Sequence, residues 1–556
     1  MRAMRSALIG AALATTAFAA QAGADGTRRT PALPEISCLT PSDAGKAMRD
    51  AAPPPVLLEG LGYAGLEPDS TSPEARAWFA QGVRLIWAFD EVEAIRAFQQ
   101  AQRLDPSCAL CHFGEAWARG PTINLSPRTD ELAAARAAAR RALALVDRLS
   151  PRDQVLVRAM ALRTRDGDAF ANEAYAAYME TAALRMPGDD TIQVMAADAR
   201  MIAWGRGGTP PVDSLARRLL ERVLARNPGH GGAIHYYIHL TDWIDRQHLA
   251  ERYADRLGDI APAASHLVHM PSHTYYGVGR YQDAAAVNVA AISADRAFNA
   301  RANPVASDYR FYLNRHNMHF AINSALVAGD WSTARAIASQ YRAAYLAGAN
   351  VPVASRLLGS AVYYAAGLDA PLAEVLALPE PEAAIDRAMR LYARGEALAR
   401  NSDAPAVRAE AHALAALRES AAAPALGRGG ARLAEIAQGV LEGRAAMLDR
   451  RFDDAAAAYR RAMNAQLAAD FGMDPPLFWY SVRRSLAAAL LASGDARGAR
   501  AQLHASLMRW PNDPLALYAL SLADRALGDE RAAADNLARA QRARLDDVTS
   551  VPLNRL

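Results

Sequence analysis

The sequence has few cysteines, no long apolar run beyond its N-terminus and no excess of one charge sign. Three cysteines, Cys38, Cys108 and Cys111, occur among 556 residues, so at most one intramolecular disulfide can form and a disulfide framework is excluded. The 62 basic and 59 acidic residues give a net charge of +3, which supplies no electrostatic reason to expect a nucleic-acid partner. After the N-terminus no segment approaches the roughly eighteen apolar residues that span a bilayer, so no membrane span is expected.

The chain also lacks the common short motifs of catalysis. It contains no Gly-rich phosphate loop, no Gly-x-Ser-x-Gly elbow, no His-Glu-x-x-His helix and no paired-carboxylate motif. Any chemistry therefore has to come from another arrangement of residues.

The N-terminus has the pattern of a secretory signal peptide. Arg2 and Arg5 precede an apolar stretch over residues 7–20, and Ala20-Gln21-Ala22 forms a small-x-small cleavage site. The pattern predicts a signal peptide over residues 1–22 and a mature protein that is secreted, typically into a bacterial periplasm.

A period of about thirty-four residues organises much of the chain. In a unit that begins at Ala75, large, small and helix-ending residues fall at places 4, 8, 11, 20, 24, 27 and 32, namely Trp78, Gly82, Leu85, Ala94, Phe98, Ala101 and Pro106. Alanine recurs at place 20 of further units that begin at Gly231, Ser265, Arg315, Ile436, Tyr480 and Pro514. This pattern resembles the tetratricopeptide repeat (TPR). The resemblance implies an all-α fold, a solenoid of helical hairpins that winds as a right-handed superhelix.

The repeats and the composition divide the chain into segments. After the signal peptide we expect a Pro-rich N-terminal arm over residues 23–70 and an N-terminal repeat array over residues 71–348. A helical, irregular connecting segment follows over residues 349–435, then C-terminal repeats over residues 436–547 and a tail over residues 548–556.

Histidines cluster at equivalent places of three repeat units. In the known fold of the repeat, places 2, 5, 9 and 12 of the first helix line the concave groove. Seven of the twelve such positions in the units from Gly231, Ser265 and Arg315 are histidines, namely His235, His239, His266, His269, His273, His316 and His319. Separations of three and four residues place side chains on one helical face. Because imidazole is a common ligand of zinc, copper and iron, the seven residues predict a transition-metal site in the groove, with the metal undecided.

The function of such a site is open at this stage. Asp242 and Tyr276 take place 12 and are candidate catalytic residues, since a metal with an open ligand position supports hydrolysis or oxidation. One alternative is a histidine-lined groove that binds an anionic partner or responds to pH. Another is a non-catalytic scaffold whose concave groove binds a peptide or protein partner. The sequence does not decide whether the protein is an enzyme.

The segment Cys108-Ala-Leu-Cys111-His112 matches the attachment motif of c-type haem. A haem protein held through Cys108, Cys111 and His112 is therefore a further alternative. Against it, His112 takes a buried repeat position and no second axial ligand is identified. A CxxC disulfide, a soft-metal pair and small buried residues are the other interpretations of this motif.

Longer segments are similar to a group of secreted bacterial repeat proteins. These segments are LDPSCALCHFGEAWARGPTINLSP, GGAIHYYIH, SHLVHMPSHTYYGVGRY, RHNMHF and DPPLFWYSVRRSLAAALLASGD, and they span most of the mature chain. The resemblance implies the fold and an exported location but no particular reaction. This chain departs from the group at His112, where an aromatic residue is usual, and at Thr122, where asparagine is usual. In Phe89-Asp90-Glu91 it lacks a histidine common in the group, so any ligand role there passes to Glu91.

Overall fold

The described part of the chain consists of α-helices joined by short loops, and it contains no β-strand. The computed structural model describes residues 53–124, 129–205, 208, 210–304, 308–348, 350–469 and 475–556. The predicted signal peptide and the first part of the predicted N-terminal arm lie outside these residues.

The first half of the chain supplies thirteen of these helices. They are α1 (Pro73–Trp87), α2 (Glu91–Leu104), α3 (Ala109–Ala118), α4 (Leu132–Leu143), α5 (Pro151–Arg163), α6 (Asn172–Arg185), α7 (Asp190–Trp204), α8 (Leu215–Arg226), α9 (Gly231–Trp243), α10 (Glu251–Ile260), α11 (Ser265–His269), α12 (Pro271–Val278) and α13 (Tyr281–Ala302). Proline in the first turn and side-chain caps set several of the starts, as at α1, where Ser72 accepts a hydrogen bond from the Ala75 amide.

The second half supplies the remaining helices. They are α14 (Asp308–Ala328), α15 (Trp331–Tyr341), α16 (Val353–Leu358), α17 (Ser360–Asp369), α18 (Leu372–Leu376), α19 (Ala384–Arg400), α20 (Ala404–Glu419), α21 (Gly427–Leu448), α22 (Phe452–Ala468), α23 (Arg483–Ala492), α24 (Ala496–Leu507), α25 (Pro514–Ala526) and α26 (Glu530–Ala543). The predicted connecting segment thus contains helices α16 to α20, and α21 begins inside it. No helix among the described residues is long and apolar enough to cross a membrane.

Consecutive helices pack against each other as hairpins along the chain, as α1 does with α2, α21 with α22 and α25 with α26. The small residues of the repeat permit this packing. A Cβ atom on Gly82 would lie only 2.7 Å from the ring of Phe98, so this contact between α1 and α2 requires glycine. The predicted all-α, tetratricopeptide-type solenoid of helical hairpins is confirmed.

An extended segment over residues 53–66, within the described part of the predicted arm, crosses the first repeats. The Leu58 amide donates to Gln81 Oε1 at 2.7 Å, and the Trp87 indole donates to the Ala64 carbonyl at 2.9 Å. Farther along the chain, the Ala263 amide donates to the Gly60 carbonyl at 2.9 Å. The arm therefore ties α1 to the loop before α11.

Helices in the middle of the chain contact both an N-terminal helix and the C-terminal repeats. Arg310 of α14 forms an ion pair with Asp90, which caps the start of α2. The hydroxyl of Tyr281 donates to the Pro511 carbonyl at 3.0 Å. At Gly279, where φ is +81°, a Cβ atom would lie 2.0 Å from that same carbonyl oxygen, so the turn between α12 and α13 accepts only glycine. The C-terminal hairpins thus pack against the helices that carry the histidines.

Candidate metal centre

Three stretches of helix bring six of the seven predicted histidines together: α9, the pair α11 and α12, and α14. α11 ends at His269 and α12 begins at Pro271, with one residue between them, so the helix is interrupted at this proline. The six histidines form two groups, in each of which the three ligand atoms lie within 4.8 Å of one another. We call His235, His239 and His266 triad A, and His269, His273 and His316 triad B.

Triad A is buried and its Nε2 atoms converge. His235 Nε2 lies 3.2 Å from His239 Nε2 and 3.1 Å from His266 Nε2. On the other side of its ring, His235 Nδ1 lies 2.6 Å from the carbonyl oxygen of Trp87. Because a carbonyl only accepts, Nδ1 carries the proton, and the lone pair of Nε2 is directed at the other two histidines.

Triad B repeats this arrangement with a different anchor. His269 Nε2 lies 3.0 Å from His273 Nε2, and the rings of His269 and His316 are 4.8 Å apart. His269 Nδ1 lies 2.7 Å from Asn288 Oδ1, whose amide nitrogen donates to the Ala284 carbonyl at 2.7 Å. This second bond fixes the orientation of the amide, so His269 Nδ1 donates and its Nε2 presents a lone pair.

One phenylalanine packs against each triad. The ring of Phe89, in the turn between α1 and α2, lies 4.3 Å from the ring of His235, 6.0 Å from that of His239 and 5.5 Å from that of His266. Phe320 of α14 lies 5.4, 5.1 and 5.6 Å from the three rings of triad B. Both phenylalanines are fully buried, so each triad has an apolar wall that excludes water on one side.

Burial keeps the inner imidazoles neutral. It lowers the pKa of His235 to about 3, although the bond to the Trp87 carbonyl acts in the opposite direction. Burial also lowers the pKa of His266 and of His269 well below the usual value, and neighbouring histidines lower both further. A neutral imidazole has a free lone pair, so these rings are in the form that binds a metal at neutral pH.

The spacing of the nitrogens suits a metal ion. Three nitrogens bound to one tetrahedral ion at about 2.0–2.1 Å lie about 3.3 Å from each other. The resolved Nε2 separations of 3.0, 3.1 and 3.2 Å are close to that value. Three imidazoles on zinc, copper or iron leave at least one coordination position for water or another small ligand.

His319 does not join either triad. Its Nδ1 lies 3.0 Å from the Leu358 carbonyl and its Nε2 lies 3.2 Å from the amide of Asn323. Leu358 directly precedes Gly359 and the start of α17, so these two bonds hold the His319 ring to partners that belong to neither triad. The burial of four of the six triad histidines also differs from the open groove that the repeat register predicts, because the Phe89 turn and the contacts between distant helices enclose them.

The two candidate catalytic residues lie outside the triads. The Asp242 carboxylate accepts a hydrogen bond from Gln247 at 3.0 Å, and no carboxylate belongs to either group of described ligand atoms. Glu91 is buried at the start of α2 and likewise belongs to neither group. Tyr276 packs with its ring 5.6 Å from Phe320 and 5.9 Å from Trp510, behind the wall of triad B.

Cys108 and Cys111 form a disulfide at the start of α3, and both are fully buried. In this state neither sulfur is free for a thioether bond to haem, so the structure favours the disulfide among the interpretations of the CxxCH motif. His112 Nε2 lies 3.1 Å from the Pro106 carbonyl. His230, another histidine near these helices, caps the start of α9 by accepting from the Ala233 amide at 3.2 Å.

Residues that support the triads were not predicted from the sequence. The Trp87 carbonyl, Phe89, Asn288 and Phe320 each contact a triad histidine. Asn288 carried the one available signal, since a buried polar residue on the apolar face of a predicted helix requires a partner.

Comparisons with known proteins do not assign the chain to a family. No family model matches the chain, and no curated protein matches its sequence. Among solved structures, a human IFIT1 dimer with m7Gppp-AAAA is 12% identical, with a TM-score of 0.30 over 85% of this chain and 91% of that one. The TPR domain of P58(IPK) is 10% identical, with a TM-score of 0.22 over 82% of this chain and 99% of that one.

Proposed function

We propose that this protein binds transition-metal ions in triads A and B, with three imidazole nitrogens on each ion. The convergence of the Nε2 atoms on His235 is the observation that carries this proposal. Its Nδ1 is committed to the Trp87 carbonyl, so its Nε2 offers one lone pair to two neighbouring nitrogens. One lone pair accepts one good hydrogen bond, so neutral rings alone do not satisfy both contacts. A cation between the three nitrogens satisfies all three lone pairs.

The number of ligands favours a reactive site over a purely structural one. Structural zinc sites are closed by four protein ligands, whereas catalytic sites keep three protein ligands and one exchangeable position. A metal with such a position supplies an activated water or, for copper and iron, an electron-transfer centre. We propose metal-dependent hydrolysis or oxidation as the class of activity, with the triad histidines as ligands.

Export is part of the same proposal. The signal-peptide pattern of residues 1–22 supports a secreted or periplasmic location. The Cys108–Cys111 disulfide also supports an oxidising compartment, because such bonds are rare in the cytosol.

Burial of the triads counts against a role for these histidines in binding a peptide. A peptide in the groove would need exposed side chains, whereas His235 and His269 are fully buried. A scaffold function would therefore use another surface of the solenoid.

Metal analysis of the full chain, purified without a histidine tag, tests the proposal. We expect about two metal ions per chain. The double variant H239A/H316A should lose them, because it removes one ligand of each triad, the buried His239 of triad A and the half-buried His316 of triad B. The matched control H412A/H504A removes two histidines from exposed positions and should retain both ions.

Added zinc should raise the melting temperature of the metal-free protein, since a ligand at a hundred times its Kd stabilises the fold by about 2.7 kcal/mol. A metal-free protein whose melting is unaffected by zinc and copper would contradict the proposal.

A further inference from the structure

The two triads lie as close to each other as their own members do. The rings of His266 and His269 are 5.8 Å apart, and those of His239 and His273 are 6.0 Å apart. Within the triads the ring separations run from 4.8 Å, between His235 and His266, to 6.3 Å, between His239 and His266. No side-chain layer therefore separates triad A from triad B at these contacts.

One short helix carries a ligand of each triad. His266 and His269 are three residues apart on α11, one turn of helix, and His273 follows on α12 after the break at Pro271. Any displacement of α11 moves a ligand in both triads. The two groups are thus mechanically coupled as well as close.

Two metal ions so near each other require a negative charge between them. Imidazole ligands bring no negative charge, and neither group of described ligand atoms includes a carboxylate. Two divalent ions repel about four times as strongly as two univalent ions at the same distance, and the repulsion is poorly screened in an enclosed site. An anion from solution that binds both ions would relieve this repulsion.

A small cavity lies beside triad A and is lined in part by its His266. It has a volume of about 40 Å³, and its lining includes His266, Ala88, Ala264, Asp90 and Arg310. This volume holds only a few water-sized molecules. The ligand that reaches the site by this route is therefore small.

We propose that triads A and B form one binuclear centre whose two ions share a small bridging anion. This inference rests on the proposed metal binding and adds that the two ions act as a unit. Hydroxide is the smallest such ligand available from water, and azide is a probe of similar function that binds between two metal ions.

Copper loading tests this proposal on the full chain. Protein saturated with Cu(II) and freed of excess copper should hold two ions per chain, and its EPR spectrum should account for less than half of that copper, because a bridging anion couples the two spins. Titration with azide should end at one azide per chain. The half-site variants H239A and H316A should each hold one copper, with its full EPR intensity.

The outcomes separate this inference from the proposed function. Two coppers per chain with full EPR intensity and two azides bound would show independent sites and overturn the binuclear centre. One copper per chain in the unmodified protein would also overturn it, while leaving metal binding intact. A chain that retains no copper and no zinc would remove the proposed function itself. The copper count and EPR intensity of the unmodified protein decide the question even where a variant does not fold.

Discussion

Triads A and B each contain three imidazoles, but different parts of the chain hold the two sets in place. In triad A the anchored ring, His235, donates to a backbone carbonyl, and all three histidines are buried. In triad B the anchored ring, His269, donates to the side chain of Asn288, and His273 and His316 are only half-buried. The geometry of triad A therefore depends on the backbone of the first repeat, whereas that of triad B depends on side chains, chiefly the Asn288 amide, with the Ser272 hydroxyl 3.3 Å from His269 Nδ1.

The two triads therefore differ in the kind of acceptor that orients the anchored histidine. A backbone acceptor keeps its position as long as the fold is intact, so triad A is a rigid part of the core. A side-chain acceptor is set by a single residue, so triad B is the group whose metal affinity a point substitution can adjust without unfolding the chain. The predictions below test that division.

The largest difference is expected in the stability of the metal-free protein. His235→Ala leaves a cavity in the core and removes the partner of the Trp87 carbonyl, so it should lower the free energy of unfolding by about 3 kcal/mol. His273→Ala, at a half-buried position, should lower it by less than about 1 kcal/mol. Denaturant titration of both variants after chelation of metal measures the two values. Equal losses would show that the triads contribute alike to the fold.

For metal affinity, in contrast to stability, we expect the larger effect in triad B, when the partner of its anchored histidine is removed. Asn288→Leu keeps a side chain of similar size but removes the acceptor of His269 Nδ1, and loss of such a partner typically weakens metal binding about 10–100-fold. Competition with a chromophoric chelator measures the affinities of the two triads. We expect the direct loss of affinity at one ion per chain, because Asn288 bonds to His269 of triad B.

His269→Ala provides the reference for that measurement, since it removes the ligand itself. Asn288→Asp restores an acceptor and should return the affinity of triad B to at least the original value. Unchanged binding in Asn288→Leu would mean that the bond between Asn288 and His269 does not orient the imidazole.

The repeat register explains why the sequence predicts that six of these seven histidines lie together. Spacings of three and four residues place His235 and His239, or His269 and His273, on one helical face, and this depends only on local geometry. His319 has a suitable spacing from His316 but bonds to the Leu358 carbonyl instead. The spacing within one helix does not specify which neighbouring segment a side chain contacts.

The burial of the triads and their walls could not be predicted in this way. Phe89 reaches triad A because the first repeat packs against α9, and Arg310 pairs with Asp90 across more than two hundred residues. The contact between Tyr281 and Pro511 similarly depends on where the whole superhelix ends. Contacts between distant helices depend on the sum of many small rotations between successive hairpins. The sequence pattern of one repeat does not determine these rotations.

Loss of the Cys108–Cys111 disulfide should affect stability but neither triad. A cross-link between residues three apart closes a short loop, so the chain-entropy estimate of its contribution is about 2 kcal/mol. The double variant C108S/C111S should therefore unfold at lower denaturant concentration. It should still bind two metal ions, because Trp117 of the same helix α3 continues to pack against Trp87. Loss of the ion in triad A alone would instead show that the disulfide positions the Trp87 carbonyl.

The smallest expected effect is the change in the free energy of unfolding per pH unit. It should be similar for the two triads. His235 belongs to triad A and His269 to triad B, yet burial lowers the pKa of both below the value of about 6.5 that histidine has in an unfolded chain. Below pH 6.5 the unfolded chain therefore binds protons that the fold excludes. Each such histidine stabilises the metal-free fold fully above pH 6.5, and its contribution decreases as the pH falls, toward about pH 3 for His235.

Buried carboxyls act in the opposite direction, so the total pH dependence does not isolate the histidines. Burial raises the pKa of Asp198 to about 7 and that of Asp90 to about 6, and these groups favour the fold at lower pH. A comparison between variants cancels them. Between pH 6 and pH 5 the stability lost through His235→Gln should shrink by about 1.2 kcal/mol, because over this range the unfolded unmodified protein gains a proton at His235 that the fold excludes. His269→Gln should behave alike, while His412→Gln, at an exposed position on α20, should follow the unmodified protein. Free energies of unfolding at the two pH values measure this, and a His235→Gln curve parallel to that of the unmodified protein would mean that the imidazole of His235 is not kept neutral by the fold.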